Sequence, residues 1–239
     1  MEHGSLDLTK EDIIKKEELK NILLQSGIRL YNAGGSCYMA SIIQILIHSK
    51  KFLDIFLNKE IKDKNSLSNL FYNFINNIAI SKSYKEIKKY EKNFNNKFIY
   101  KFKSNHVNDP MTFFNEFIKQ IAEESNKNIL NLFKGKKSII FDGMPDLNYD
   151  EDFIFELVLL DKNHRTLNGI IYKEKTMEDN ITKIIEKIIY KPEILIINLE
   201  IEGIEYDFEE QIYLEEDKDN YLEYNLKSII RFTENKSIA

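Results

Sequence analysis

Near residue 135 the apolar residues of this chain change their spacing, and that change limits the fold more than any other feature. Before it, Met39, Ile42, Ile43, Leu46 and Ile47 recur every three or four residues, as do Leu67, Leu70, Phe71, Phe74, Ile75 and Ile78, and later Phe113, Phe114, Phe117, Ile118 and Ile121. This is the period of a helix that buries one face. After it come short β-branched and aromatic runs, KKSIIF, DFIFELVLL, PEILIINLEI, EEQIYLEE and YNLKSIIRF, set apart by acidic or turn-like segments. Such runs predict strands. Helices followed by strands predict an α+β fold, a helical lobe with a largely antiparallel sheet. One further helix is expected inside the strand-rich half, near residues 177 to 189.

Local signals place the ends of several helices. Residues 10 to 25 alternate charges with Ile13, Ile14, Leu19, Ile22 and Leu23, a short amphipathic helix that leads into Gly27. The helix from Tyr38 continues towards Phe52, Leu53 and Phe56, a distance that predicts two helices. Asn65 or Ser66 is placed to cap the helix that starts at Leu67, and Ser83 lies beyond its end. A Lys-rich helix is expected over residues 84 to 98. Asp109-Pro110 opens the next, because an acidic cap followed by proline is preorganised for initiation.

Composition removes several classes of function. The 239 residues carry a net charge of -5, with no basic field to recommend a nucleic acid as partner. No window approaches about 18 uninterrupted apolar residues, and the charged first twenty residues lack a secretory signal, so an intracellular protein, cytoplasmic or nuclear, with no membrane partner is expected. The single cysteine, Cys37, excludes an internal disulfide and a zinc site built on paired cysteines. No cofactor is expected.

Cys37 lies in YNAGGSCYMASIIQILI, at the start of an apolar helix and just after Gly34 and Gly35. A thiolate attacks acyl carbons far better than a thiol, and the unpaired N–H groups and positive dipole end of a first helical turn favour negative charge there. The glycines let backbone come close to a substrate, and Asn32 could offer an amide N–H to a developing oxyanion. A free cysteine is also among the most often buried residues. On the residues alone, packing and nucleophile both remain open.

The wider pattern resembles the cysteine box of the ubiquitin-specific proteases, G-L-x-N-x-G-N-T-C-Y-M-N-S-x-L-Q-x-L. Asn32, Gly34, Cys37, Tyr38, Met39, Ser41, Gln44 and Leu46 fall in register, Gly27 lies two residues ahead of the box's first Gly, and Gly35 and Ser36 replace the family's Asn and Thr. The resemblance implies Cys37 as nucleophile and Asn32 as oxyanion-hole donor. NDPMTFFNEFI is similar to the Q-D-A-x-E-F-L box, with Asp109 and Phe113 matching and Thr112 in place of the acid. NLFKGKKSIIFDGM resembles a finger segment in which the family has two zinc cysteines. Phe141 and Met144 stand there instead, so no zinc ribbon and no metal are expected. KPEILIINLEI and YNLKSIIRF resemble two later strands of the family.

This resemblance implies a papain-like cysteine proteinase fold of the ubiquitin-specific protease type. Residues 1–26 would be an N-terminal extension and 27–239 a single domain, with a helical thumb over 27–135 and a β-rich palm and fingers over 136–239. The implied chemistry is thiol-dependent hydrolysis of bonds to the C-terminus of ubiquitin or a ubiquitin-like protein. A cysteine protease also needs a base, usually His. In the family it stands in a Gly-His-Tyr box after the strand that YNLKSIIRF resembles, and here TENKSIA follows Phe232. The expectation is therefore weak or no turnover, from an incomplete copy of a longer protein or a degenerate relative lacking its last strands. Of the four histidines, His3, His48 and His164 read as surface residues. His106, next to NDPMTFF, is the remaining candidate for the base. The acidic stretch from Glu202 to Asp219 reads as a solvated, charged hairpin, or as carboxylates that pair with arginines in ubiquitin's tail. Two alternatives are a non-catalytic ubiquitin-binding scaffold and an unrelated papain-like peptidase, the latter explaining the later boxes less well.

Overall fold

Ser66 shows how the local sequence sets the helical part of the fold. Its Oγ accepts a hydrogen bond from the Asn69 N–H at 3.0 Å and donates to the Asp63 carbonyl at 2.6 Å, which satisfies an end that would otherwise leave donors unpaired. A computed structural model describes residues 10–25, 27–30, 37–58, 61, 63–102, 110–141, 144–154, 156–160, 173–176, 183–201, 210–217 and 220–227. Its helices in chain order are α1 (Lys10–Gln25), α2 (Cys37–Ile47), α3 (Lys50–Leu57), α4 (Leu67–Ile80), α5 (Tyr84–Phe102), α6 (Pro110–Glu124) and the four-residue α7 (Asn128–Asn131). Ser49 caps α3 as Ser66 caps α4. No described helix is long and apolar enough to cross a membrane.

The chain forms two compact units, Met1–Leu130 and Asn131–Ala239. In the first, the helical stripes expected from the sequence meet as a phenylalanine core. Phe71 of α4 lies against Phe52 and Phe56 of α3, Phe94 of α5 and Phe117 of α6, with ring centroids 5.1 to 6.2 Å apart. Phe98 continues the network from α5 to Phe113 and Phe117 of α6. Polar contacts fix the helix ends to one another. The Ser68 N–H, in the first turn of α4, donates to Glu124 Oε2 at 2.7 Å, a carboxylate at a helix N-terminus where the dipole favours it. Lys20 of α1 reaches Asp54 of α3 at 2.7 Å and Glu17 at 2.6 Å. Those hydrogen bonds, Asp54's first, raise Lys20 above its ordinary value.

The second unit holds β1 (Gly135–Phe141), β2 (Tyr149–Phe153), β3 (Glu156–Leu160), β4 (Lys173–Thr176), β5 (Lys183–Tyr190), β6 (Ile197–Ile201), β7 (Gln211–Asp217) and β8 (Asn220–Asn225). An antiparallel sheet runs in the order β2-β1-β5-β4, with a register shift between Lys136 and Lys137 where β1 meets β5. β7, from the acidic stretch, pairs antiparallel with β8, and residues 202–209 and 218–219 of that stretch lie outside the described residues. β3 and β6 pair in parallel, a departure from the antiparallel expectation. A parallel partner needs a long return connection, and the chain between them carries β4 and β5.

The helix expected near residues 177 to 189 is corrected by β5, whose KIIEKIIY sequence pairs with both β1 and β4. Its isoleucines at 184, 185, 188 and 189 fit one helical face, but they also put a β-branched side chain on each face of a strand. Two available neighbours decide between the two. YNLKSIIRF is strand only at Tyr224 and Asn225, with Leu226 and Lys227 beyond the end of β8 and residues 228–232 outside the described residues.

Replacing Phe71 by Ala removes the ring common to four helices and is expected to destabilise the helical unit by about 3–5 kcal/mol. The helical far-UV circular dichroism signal in a urea titration measures this. Ile80→Ala, at a side chain that is 64% exposed, serves as the control and stays within about 0.5 kcal/mol of the native protein.

Candidate active site

Cys37 is the first residue of α2, and the helix it opens is apolar on nearly every side. Tyr38, Met39, Ile42, Ile43, Leu46 and Ile47 bury one face of α2, while Ala40, Ser41, Gln44 and Ile45 on the other side are half-buried. Its first turn is fixed to α6 by the Tyr38 ring, which meets Phe113 edge-on with centroids 5.7 Å apart and planes at 76°. Aromatic edge-to-face pairs of this kind hold an angle as well as a distance. The first-turn N–H groups of an eleven-residue helix thus sit at a rigid end, where negative charge is favoured.

Residues 27–30 are held from the same helix. Gly27 has φ of +55°, a left-handed conformation that turns the chain out of α1 and that a side chain would strain. Space is not the constraint, because a Cβ there would meet nothing within 4 Å. The residues that follow are bound by Gln44. Its Oε1 accepts from the Leu30 N–H at 3.0 Å, and its Nε2 donates to the Ile28 carbonyl.

Of the residues that the sequence singles out, Cys37 is placed at the mouth of α2. Asn32, Gly34, Gly35, Ser36, His106 and Asp109 lie outside the described residues, as do His3 and His164. His48, expected at the surface, is half-buried. Its Nδ1 lies 2.8 Å from the Gln44 carbonyl oxygen and 3.2 Å from Gln44 Nε2. Protonated at Nδ1 it donates to the carbonyl, and as the other tautomer it accepts from the amide. It stands eleven residues beyond Cys37, roughly 16 Å along the helix axis, too far to take a proton from that cysteine. The binding role of Gln44 is the feature that residue-by-residue reading passes over. Its signal is a lone amide in an otherwise apolar helix, two turns after the cysteine.

Among the described residues no three His, Cys, Asp or Glu side chains gather as they would around a metal ion. At the end of β1, where Phe141 and Met144 stand, the connection to β2 is closed by hydrogen bonds. The Phe141 N–H donates to Asn148 Oδ1 at 2.8 Å, and the Met144 N–H donates to the Phe141 carbonyl at 3.1 Å. The Phe141 and Tyr149 rings lie 6.4 Å apart beside it.

The sequence matches the ubiquitin carboxyl-terminal hydrolase family over residues 28–234. No curated protein matches it significantly in sequence. Solved structures of similar fold include the SAGA DUB module Ubp8/Sgf11/Sus1/Sgf73 bound to monoubiquitin, with TM-score 0.69 and 15% identity over 93% of this chain and 64% of the matched one. The same module bound to ubiquitin aldehyde gives 0.67 and 17% over 93% and 64%. A yeast SAGA DUB module with an Sgf73 mutant gives 0.63 and 15% over 84% and 57%. This chain therefore spans less than two thirds of the matched chains, and at these identities the likeness is one of fold.

If the Tyr38–Phe113 contact holds the first turn of α2, then Tyr38→Leu and Phe113→Leu should not add. A double-mutant cycle in urea unfolding is expected to give a coupling of about 0.5–1.5 kcal/mol. Simple additivity would show that the rings are neighbours without holding one another.

Proposed function

This chain belongs to the ubiquitin carboxyl-terminal hydrolase family, and on that premise we propose that it is a deubiquitinase-like cysteine protease domain acting on bonds to the C-terminus of ubiquitin or a ubiquitin-like protein. One observation carries the reading. Cys37 opens α2 in a stretch whose Asn32, Gly34, Tyr38, Met39, Ser41, Gln44 and Leu46 are in register with the family's cysteine box. Solved structures of similar fold hold monoubiquitin and ubiquitin aldehyde, which supports ubiquitin as the partner. In this reading residues 27–135 form the thumb and 136–239 the palm and fingers, and the conjugates attacked are intracellular.

The Cys37 sulfur adds to the acyl carbon, and the Asn32 side-chain N–H donates to the oxyanion that forms. Collapse of that adduct expels the amine, which needs a proton from a general acid, and leaves ubiquitin as a thioester that water cleaves. His106 is the candidate for this acid and base, and turnover by this chain alone is weak. The alternative reading is a ubiquitin-binding module without catalysis.

The purified chain incubated with ubiquitin ending in a thiol-reactive vinyl group is expected to gain the mass of one ubiquitin, and Cys37→Ser to gain none. Ubiquitin aldehyde, whose adduct carries the oxygen that Asn32 would hold, is expected to bind Asn32→Ala about 100-fold more weakly than the native chain. Ubiquitin bound equally by native protein and Cys37→Ala, with no adduct from either reagent, would favour the binding module.

A further inference from the structure

Gln44 has no role in the chemistry above, yet its carboxamide is committed at both ends. Oε1 accepts a hydrogen bond from the Leu30 N–H at 3.0 Å, Nε2 donates one to the Ile28 carbonyl, and Nε2 is also 3.2 Å from His48 Nδ1. The amide thus pairs with residues 28 and 30 as a neighbouring strand would. Its orientation is set by them, since an N–H needs the oxygen and a carbonyl needs the nitrogen. Cys37 and Gln44 are seven residues apart on α2, two turns and roughly 10 Å along the same side of the helix. Leu30 precedes Asn32 by two residues, at most about 7 Å of chain. Ile28 is buried, so no free run of solvent replaces a lost partner for its carbonyl.

We propose that Gln44 is a positioning residue, which holds Ile28–Leu30 on the flank of the helix that Cys37 opens and through that backbone sets the rate at which Cys37 reacts with ubiquitin. The proposal rests on the reading of Cys37 as nucleophile. Ubiquitin's affinity does not depend on Gln44, because the amide is consumed by backbone. The rate of the bond-forming step does.

The test uses the full chain as native protein, Gln44→Met and Gln44→Glu, with vinyl-ended ubiquitin and with iodoacetamide as probes. In Gln44→Met the saturating rate of ubiquitin adduct formation is expected to fall about ten-fold or more. The half-saturating ubiquitin concentration and the iodoacetamide rate at Cys37 should stay within about two-fold of native. Hydrogen exchange at the Leu30 amide should quicken about ten-fold or more in Gln44→Met and stay slow in Gln44→Glu, which keeps the acceptor. Gln44→Glu also covers the case in which the methionine variant does not fold, its own adduct rate falling because two oxygens then face each other at Ile28. Unchanged Leu30 exchange in Gln44→Met would overturn the clamp. Faster exchange with a native adduct rate would overturn its service to Cys37. Failure of the native chain to form any adduct at Cys37 would overturn the nucleophile reading beneath it, while Leu30 exchange still reports the clamp.

Discussion

One ring, Phe71, touches aromatic side chains from three other helices, and the placement of the first turn of α2 depends on what that ring joins. From Phe71 the contacts run through Phe117 to Phe113 on α6, and from Phe113 to Tyr38, the residue after Cys37. Each step is a contact of modest energy. Their sum matters because interiors pack at crystal-like density and transmit a displacement instead of absorbing it. The first turn of α2 is located by a core built on α3 to α6, far from it in sequence.

Against that fixed helix, the polar contacts do a different task. Ser66 and Glu124 satisfy the start of α4, and Gln44 satisfies two backbone groups of residues 28–30, which have no sheet partner among the described residues. Backbone N–H and C=O groups left without partners when buried are costly, and a single side-chain amide can serve one of each. The segment ahead of the cysteine loop is therefore tied to the same element that carries Cys37. Movement of one without the other would break hydrogen bonds.

Much of the helical part was legible in the sequence because a 3.6-residue period reports a buried face directly. The stripes at Leu67 to Ile78 and Phe113 to Ile121, the cap at Ser66 and the start at Pro110 all stand where the residues put them. Period does not report a partner. It put a helix near residues 177 to 189, where KIIEKIIY instead pairs as β5 with β1 and β4, and it could not foresee that β3 and β6 pair in parallel. At the candidate site, residue type and register pointed to Cys37 and Asn32. The contacts of Gln44 and His48 were not legible, because both depend on which groups the fold brings beside α2.

The family, the fold and the position of Cys37 at a rigid helix end combine into one claim, that this cysteine performs acyl transfer on ubiquitin's C-terminus. Release of a fluorophore from a ubiquitin C-terminal amide, compared between the native chain and Cys37→Ser, tests it most directly. The account predicts slow release by the native chain that disappears in Cys37→Ser. Equal release from the two proteins would contradict it, as would no release from a native chain that binds ubiquitin as tightly as Cys37→Ser does.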